Sequence, residues 1–344
     1  MISFKVFIRN KEKSGATQKY IETIGSALSK VKDATVSHIN SLSDLKENDI
    51  VIIISLQTYF RLLLKKPHQK FIFWSQGITP EEVKMLDNSL YGRIKVSLFT
   101  LLEKRILDGS IMNIFVSKAM HKHYEIKYNY LKKNYVVIPC SNMDLQTESF
   151  DYSNKYKKAT FVYAGNASQW QCLEETILLF TYIKKDIPNA LFTIFTSDQE
   201  VVKKMLKKYQ VEATVDFVHV SQLNQELTKF KYGFLLRKEC DVNRVATPTK
   251  LNSYVANGVI PIYSNVIEDF KAQLSKTQYA LAVDIDHLKE GAKIIAQFNS
   301  QEIRTDQIRN QYIELFDNYY NIKKYQTELI NKVSSLLYQQ SQKR

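Results

Sequence analysis

Apolar positions along this chain alternate between short β-branched runs and longer stretches with helical spacing. SFKVFIRN, ATVSHI, DIVIIIS, FIFWS, IMNIFVS and YVVIPC read as strands. The near-continuous DIVIIIS is of the kind buried on both faces of a parallel sheet. Between these runs the spacing is helical: residues 17–28 after the polar loop KEKSGATQ, then LQTYFRLLLKKPHQK, residues 81–107 and KAMHKHYEIKYNYLKK. The stretch 145–158, LQTESFDYSNKYKK, is polar and aperiodic and predicts a linker. A second series follows, with ATFVYAG, ALFTIFT, VDFVHV, GFLL, VIPIYS and YALAVDI as strands, helices between them and a last helix over 319–340.

Strands that alternate with helices predict an α/β fold with parallel sheets. Two such series in 344 residues predict two Rossmann-like domains, residues 1–145 and 159–318, facing each other across a cleft lined by strand ends. The C-terminal helix, 319–344, is expected to pack back towards the first domain. In residues 81–107, Ile94, Leu98, Leu101 and Leu102 share a helix with Arg93, Lys95 and Lys104. Such a helix can lie on an acidic membrane surface. The expectation is instead a core-packing stripe with a solvated basic side.

The stretch 231–265, KYGFLLRKECDVNRVATPTKLNSYVANGVIPIYSN, holds the densest chemistry. An apolar strand enters a polar loop with Arg237, Asn243 and Arg244, and a helix starts at ATPTK. Pro248 suits a first helical turn because its missing N–H is a donor that a helix start leaves unpaired anyway. Thr247 is then the predicted N-cap, and Gly258 the left-handed residue that ends the helix. First-turn amides and the helix dipole favour an anion such as a phosphate, to which Lys250 and Arg237 would add full charges. A bland reading stands beside this one: Arg237 as an ion-pair partner of Glu239 and Lys250 as a solvated helix residue. In FIFWSQGITPEE, the loop after a parallel strand makes Gln76, Gly77 and Glu81 candidates. An ordinary helix start with acids in its first turn accounts for Pro80, Glu81 and Glu82 as well.

Composition narrows the picture. The formal charge is +13, and residues 1–150 hold 22 Lys and Arg against 14 Asp and Glu, so the excess is concentrated in the first half. A basic surface favours anionic partners. Nucleic acid is not expected, because no recognition motif accompanies the charge and the aromatics fall mostly at core spacing. Cys140, Cys172 and Cys240 form no CxxC pair, and His121 and His123 at i, i+2 lie on different helix faces. No metal is assigned and no cofactor is expected. The longest apolar run, residues 50–54, is too short to span a bilayer, and the N-terminus lacks a signal-peptide layout, so a cytoplasmic location is expected.

The succession FWSQGITPEE, NIFVSKAM, VVIPCSNMD, FVYAGNASQWQ and GFLLRKECDVNRVATPTKLNSYVANGVIPIYS resembles glycosyltransferase family 4, the retaining sugar transferases of the GT-B fold. The likeness is closest to the bacterial branch that builds capsules, O-antigens and other surface polysaccharides. It spans nearly the whole chain in order, and VSKAM and ATPTKLNSYVANG are its most specific segments. The resemblance implies a metal-independent hexosyltransferase whose donor is a UDP-, GDP- or dTDP-linked sugar, held mostly by the second domain. The acceptor, lipid-linked or an oligosaccharide, would be held mostly by the first. It further implies work on the inner face of the cell membrane, which the basic first half would contact through residues 61–70 and 118–133.

By the same resemblance Arg237 and Lys250 neutralise the departing diphosphate, while Gly15, Gly165, Asn166, Asn243, Thr247, Pro248, Thr249 and Ser253 surround the donor. Gln76, Gly77 and Glu81 fall on the acceptor side. Many members carry two glutamates eight positions apart, where this chain has Val245 and Ser253. The basic pair common after the second domain's first strand is replaced by NASQWQ. These departures suit an alternative reading, a catalytically weak or inactive member that partners or stabilises another transferase. Asp284 and Asp286 spell a DxD, which is read as a chance match.

Overall fold

The β-branched runs pair in parallel throughout, and they do so in two separate sheets. The computed structural model describes residues 2–9, 12 and 15–342. The chain divides into one unit of Met1–Cys140, Val245–Thr247 and Asn321–Arg344, and a second of Ser141–Arg244 and Pro248–Tyr320.

The first unit runs β1 (Ile2–Val6), α1 (Gly15–Leu28), β2 (Ala34–His38), β3 (Ile50–Ile53), α2 (Leu56–Lys65), β4 (Lys70–Ser75), α3 (Thr79–Leu86), α4 (Leu90–Gly109), β5 (Met112–Phe115), α5 (Lys118–Tyr128) and β6 (Tyr135–Val137). The sheet order is β2-β1-β3-β4-β5-β6, with β3 buried at every position, as its unbroken apolar run requires. Tyr20 stacks on Trp74 at 4.8 Å between ring centroids and donates its hydroxyl to Ile138 O at 3.0 Å, fixing α1 to the sheet.

The second unit runs β7 (Thr160–Ala164), α6 (Leu173–Asp186), β8 (Leu191–Phe195), α7 (Gln199–Tyr209), β9 (Thr214–Asp216), α8 (Val220–Leu227), β10 (Tyr232–Leu235), α9 (Asp241–Val245), α10 (Thr249–Ala256), β11 (Ile260–Tyr263), α11 (Glu268–Leu274), β12 (Leu281–Ala282), α12 (Leu288–Asn299) and α13 (Thr305–Asn318). Its order is β12-β11-β10-β7-β8-β9. The last helix, α14 (Ile322–Ser341), belongs to the first unit, where Leu329 and Val333 enter the core and Gln326 Nε2 donates to Thr23 O at 3.1 Å. No helix among the described residues is long and apolar enough to cross a membrane.

Three expectations are corrected. The helix over 81–107 is two helices, because Asp87 takes a non-helical backbone and Ser89 caps a new start, its Oγ accepting from Gly92 N at 3.1 Å. Of the apolar stripe of α4 only Leu102 is buried: Ile94, Leu98 and Leu101 are exposed, and the buried face is Gly92, Leu102, Glu103, Ile106 and Leu107. The stretch 145–158 is no free linker. Phe150 lies in the core of the second unit, Gln146 N donates to Ala256 O at 2.8 Å, and Tyr156 OH donates to Gly258 O at 2.8 Å. Its two aromatic anchors follow no strand or helix period, so the pattern could not reveal them.

Candidate functional site

Strand β10 ends at Leu235, and the chain delivers Arg237 into the interior of the second unit. Only 3% of Arg237 is exposed. Its backbone N–H donates to Ser264 Oγ at 2.8 Å, and the guanidinium Nη1 donates to Leu236 O at 2.9 Å. Lys250 reaches the same region from the first turn of α10. Its Nζ stands 3.8 Å from the centroid of the Tyr163 ring and donates to Gln171 Oε1 at 3.1 Å. Gly165 makes room for it, since a Cβ there would lie 3.0 Å from Nζ and 3.3 Å from Cε.

The loop after β7 is tied around this position. Tyr163 OH donates to Asn166 O at 2.6 Å, Asn166 Oδ1 accepts from Ser168 N at 3.2 Å, and Asp198 Oδ2 accepts from Ala167 N at 2.7 Å. Tyr163, near the end of β7, and Gln171 and Asp198, on loops, were not flagged by the sequence, because single polar contacts follow no spacing rule. Burial lowers the pKa of Arg237 from its usual value, although an arginine remains charged. Burial first, and then the Arg237 charge, hold Lys250 well below the usual lysine range. Burial pushes the nearby Cys172 thiol up to about 11. Neither Arg237 nor Lys250 forms a salt bridge among the described residues, and no carboxylate figures among the charges acting on them. Glu239, the partner considered for Arg237, pairs instead with Arg244 at 2.7 Å.

A buried arginine and a half-buried lysine without a counter-charge are unfavourable by themselves and suited to an anion. Helix α10 adds to this, since no side chain caps its start. The cap expected from Thr247 is absent: Pro248 holds the N-cap position, and the Thr247 hydroxyl accepts from Cys140 N at 3.2 Å and donates to Val116 O at 3.3 Å, within the first unit. Gly258 does take the left-handed backbone, at φ 68°. Beside Arg237, a cleft of about 630 Å³ opens at the carboxyl ends of β10, β11 and β12, lined by Lys238, Glu239, Ser264, Asn265, Asp284 and Asp286 among others. Carboxyl ends of parallel strands are where such sheets take ligands. Asp284 is engaged with His287 Nδ1 at 2.9 Å, and no group of three or more metal-ligating side chains occurs among the described residues.

The remaining candidates are spread over both units. In the second, Asn243 is buried and donates to Lys238 O at 2.9 Å, bracing the loop that carries Arg237. Ser253 is buried, donates to Thr249 O at 3.1 Å and bonds the Asn142 side chain at 3.1 Å, so its hydroxyl is taken up inside the fold. Thr249 begins α10. In the first unit, Gly15 opens α1, and residues 10, 11, 13 and 14 of the loop before it lie outside the described residues. Gln76 is exposed. The Gly77 carbonyl accepts from Tyr124 OH at 3.3 Å, and a Cβ at Gly77 would meet Glu82 Oε1 at 2.1 Å. Glu81 binds Lys127 at 2.7 Å and His123 at 3.3 Å. Burial raises its pKa, but hydrogen bonds from His123 and Lys127 bring it below the ordinary value. Lys127 also reaches the buried Glu103 at 3.1 Å. Glu81 is thus held in an internal network beneath the loop.

The arrangement of two parallel six-stranded sheets has known counterparts. The fold is the GT-B fold. A sucrose-phosphate synthase from Thermosynechococcus elongatus superposes over 100% of both chains with a TM-score of 0.69 at 11% identity. The pneumococcal O-GlcNAc transferase GtfA, in complex with UDP and GlcNAc, matches over 86% of this chain and 58% of its own with a TM-score of 0.63 at 13% identity. TarM of S. aureus, in a complex that includes UDP, matches over 84% of this chain with a TM-score of 0.60 at 10% identity. The chain covers only 57% of TarM. No protein-family model matches the sequence, and a search of curated proteins finds no sequence relative.

Proposed function

We propose that this chain is a glycosyltransferase that moves a sugar from a nucleoside diphosphate donor to an acceptor hydroxyl. The observation that carries the reading is the pairing of buried Arg237 with half-buried Lys250, two cations with no carboxylate partner, at the strand ends of the second unit. The likeness in fold to proteins bound to UDP supports it.

In this reading the bond between the anomeric carbon and the diphosphate oxygen breaks, and the leaving diphosphate gains negative charge. Arg237, Lys250 and the first amides of α10 neutralise that charge without a metal. The acceptor hydroxyl attacks the same face, a departing phosphate oxygen takes its proton, and configuration is retained. The acceptor is lipid-linked or an oligosaccharide of a bacterial surface polysaccharide. Gln76, Gly77 and Glu81 mark its side, and the basic first unit rests on the cytoplasmic face of an anionic membrane.

A second reading is favoured by one observation. The positions of the paired glutamates hold Val245 and Ser253, and the Ser253 hydroxyl is consumed internally, so neither offers a carboxylate to a ribose. This suits a partner of another transferase that binds no donor. A thermal-shift panel of UDP, GDP, CDP and dTDP with their common sugar conjugates, in magnesium and in EDTA, separates the two. A metal-independent shift with one nucleotide supports the transferase, by mass action on the folded state. No shift with any of them supports the partner.

A further inference from the structure

Helix α4 is 20 residues long, about 30 Å, and one of its faces is largely exposed. Leu90, Ile94, Leu98 and Leu101, spaced as one helical stripe, expose 75, 60, 49 and 53% of their surface. Helix α2 packs against α4, with Tyr59 OH donating to Arg105 O at 3.3 Å, and it adds exposed Phe60 and Leu64. Two neighbouring helices of one unit therefore turn large apolar side chains to solvent, more than the scattered single residues of an ordinary surface.

The charge around the stripe is predominantly positive. Arg93, Lys104 and Arg105 are exposed on α4, and Arg61 and Lys65 on α2. None of the five forms a salt bridge among the described residues. Helix α2 has no acidic residue. Of the two acids within α4, Glu103 is buried against Lys127 and Tyr128, and Asp108 lies in the last turn. A second copy of the chain would bring cations against cations across such a face, which opposes self-association. An anionic lipid surface satisfies both features, taking the leucines into its acyl boundary and the cations among its headgroups.

We propose that α4, supported by α2, is the element by which this protein rests on an anionic bilayer, with Leu90, Ile94, Leu98 and Leu101 inserted and Arg93, Lys104, Arg61 and Lys65 on the headgroups. This deepens the membrane part of the function proposed above: it keeps Arg61 and Lys65 of the basic stretch 61–70 and replaces the stretch 118–133 by a specific helix face. In residues 118–133, Lys127 is tied to Glu81 and Glu103, and Lys132 donates to Ser110 O at 2.9 Å. The inference is independent of the donor site, because vesicle binding needs no nucleotide.

The test is sedimentation of the full chain with phosphatidylcholine vesicles, with and without phosphatidylglycerol, at low and high salt. Ile94→Asp with Leu98→Asp removes the apolar part, and Arg93→Glu with Lys104→Glu the basic part. All four side chains are exposed, and unchanged melting of each variant shows that the fold is intact. The wild type is expected to sediment only with the anionic vesicles and to release with salt. Each double variant is expected to partition more weakly by on the order of tenfold or more. Wild-type protein that stays in the supernatant with anionic vesicles overturns the proposal, and so do variants that sediment as the wild type does. A dimer in light scattering that Ile94→Asp with Leu98→Asp dissociates, with no vesicle binding, would assign the face to a second copy and overturn it too.

Discussion

Replacing Arg237 by methionine separates an anion ligand from a structural arginine. Arg237 is 3% exposed, its guanidinium donates to Leu236 O, and it faces a second cation rather than a carboxylate. Methionine keeps the buried stem and removes the charge. Removing an unpaired buried charge relieves its desolvation cost, and even whole buried ion pairs are commonly replaced by packed apolar side chains with a neutral or stabilising effect of about 1–4 kcal/mol. With roughly 2–4 °C per kcal/mol for a domain of this size, the ligand-free variant should melt at or above the wild-type temperature. The loss appears only with ligand. Truncating a buried charged contact to a phosphate costs about 2–5 kcal/mol, roughly thirtyfold to several thousandfold in affinity. Differential scanning fluorimetry with and without a saturating nucleoside diphosphate reads both effects on one sample. The expected outcome is an unchanged or raised melting temperature together with a lost ligand shift. A variant that melts several degrees lower and keeps the wild-type ligand shift would refute the reasoning, since Arg237 would then be holding the fold and not the anion.

Lys250 should take up a proton when the diphosphate binds. Burial and Arg237 hold its pKa low, and a bound anion raises it. Below the lower pKa the lysine is charged in both states and affinity is flat, whereas above that pKa affinity falls as pH rises. Calorimetric titration in two buffers of different ionisation enthalpy detects the uptake, and equal heats at every pH would exclude it. Lys155 is buried, donates to Ser149 O at 3.2 Å, and burial lowers its pKa to about 7. The native state then binds fewer protons than the unfolded chain between about pH 7 and the ordinary lysine value, so this group makes stability rise with pH across that window. Urea midpoints at the two ends of the window should differ less in Lys155→Met than in the wild type, and an unchanged difference would contradict this. Gly233→Ala would place a Cβ 2.7 Å from the ring of Tyr254, whose hydroxyl accepts from Ala164 N and donates to Phe234 O, fixing α10 to the sheet. It should destabilise by about 1–3 kcal/mol, and a wild-type urea midpoint would show that the ring moves aside freely.

Both sheets were legible because parallel strands buried on both faces write themselves as apolar runs such as IVII and YGFL, and the helices between them keep their period. The left-handed Gly258 was legible for the same local reason. Surface and core could not be told apart on α4: its exposed Ile94, Leu98 and Leu101 have the spacing of a core stripe, and only tertiary packing decides which face is covered. Thr247 failed as a cap because its hydroxyl finds partners distant in sequence, at Cys140 and Val116. Phe150 and Lys155 were hidden within a polar stretch. Arg237 and Lys250 could be named from the strand, loop and helix around them, but their burial and the missing counter-charge are properties of the folded chain. Tyr163 and Gln171, which hold the Lys250 ammonium, sit near the end of β7 and in the loop after it, with no pattern to mark their role.

The claim that this protein holds a nucleoside diphosphate on Arg237 and Lys250 is tested most directly by isothermal titration of the full chain with UDP, GDP, CDP and dTDP in EDTA, beside the Arg237→Met and Lys250→Met variants. One nucleotide binding at one site per chain without a metal, and lost in both variants, is the predicted result. Absence of binding by all four, or binding that both variants retain unchanged, would contradict it.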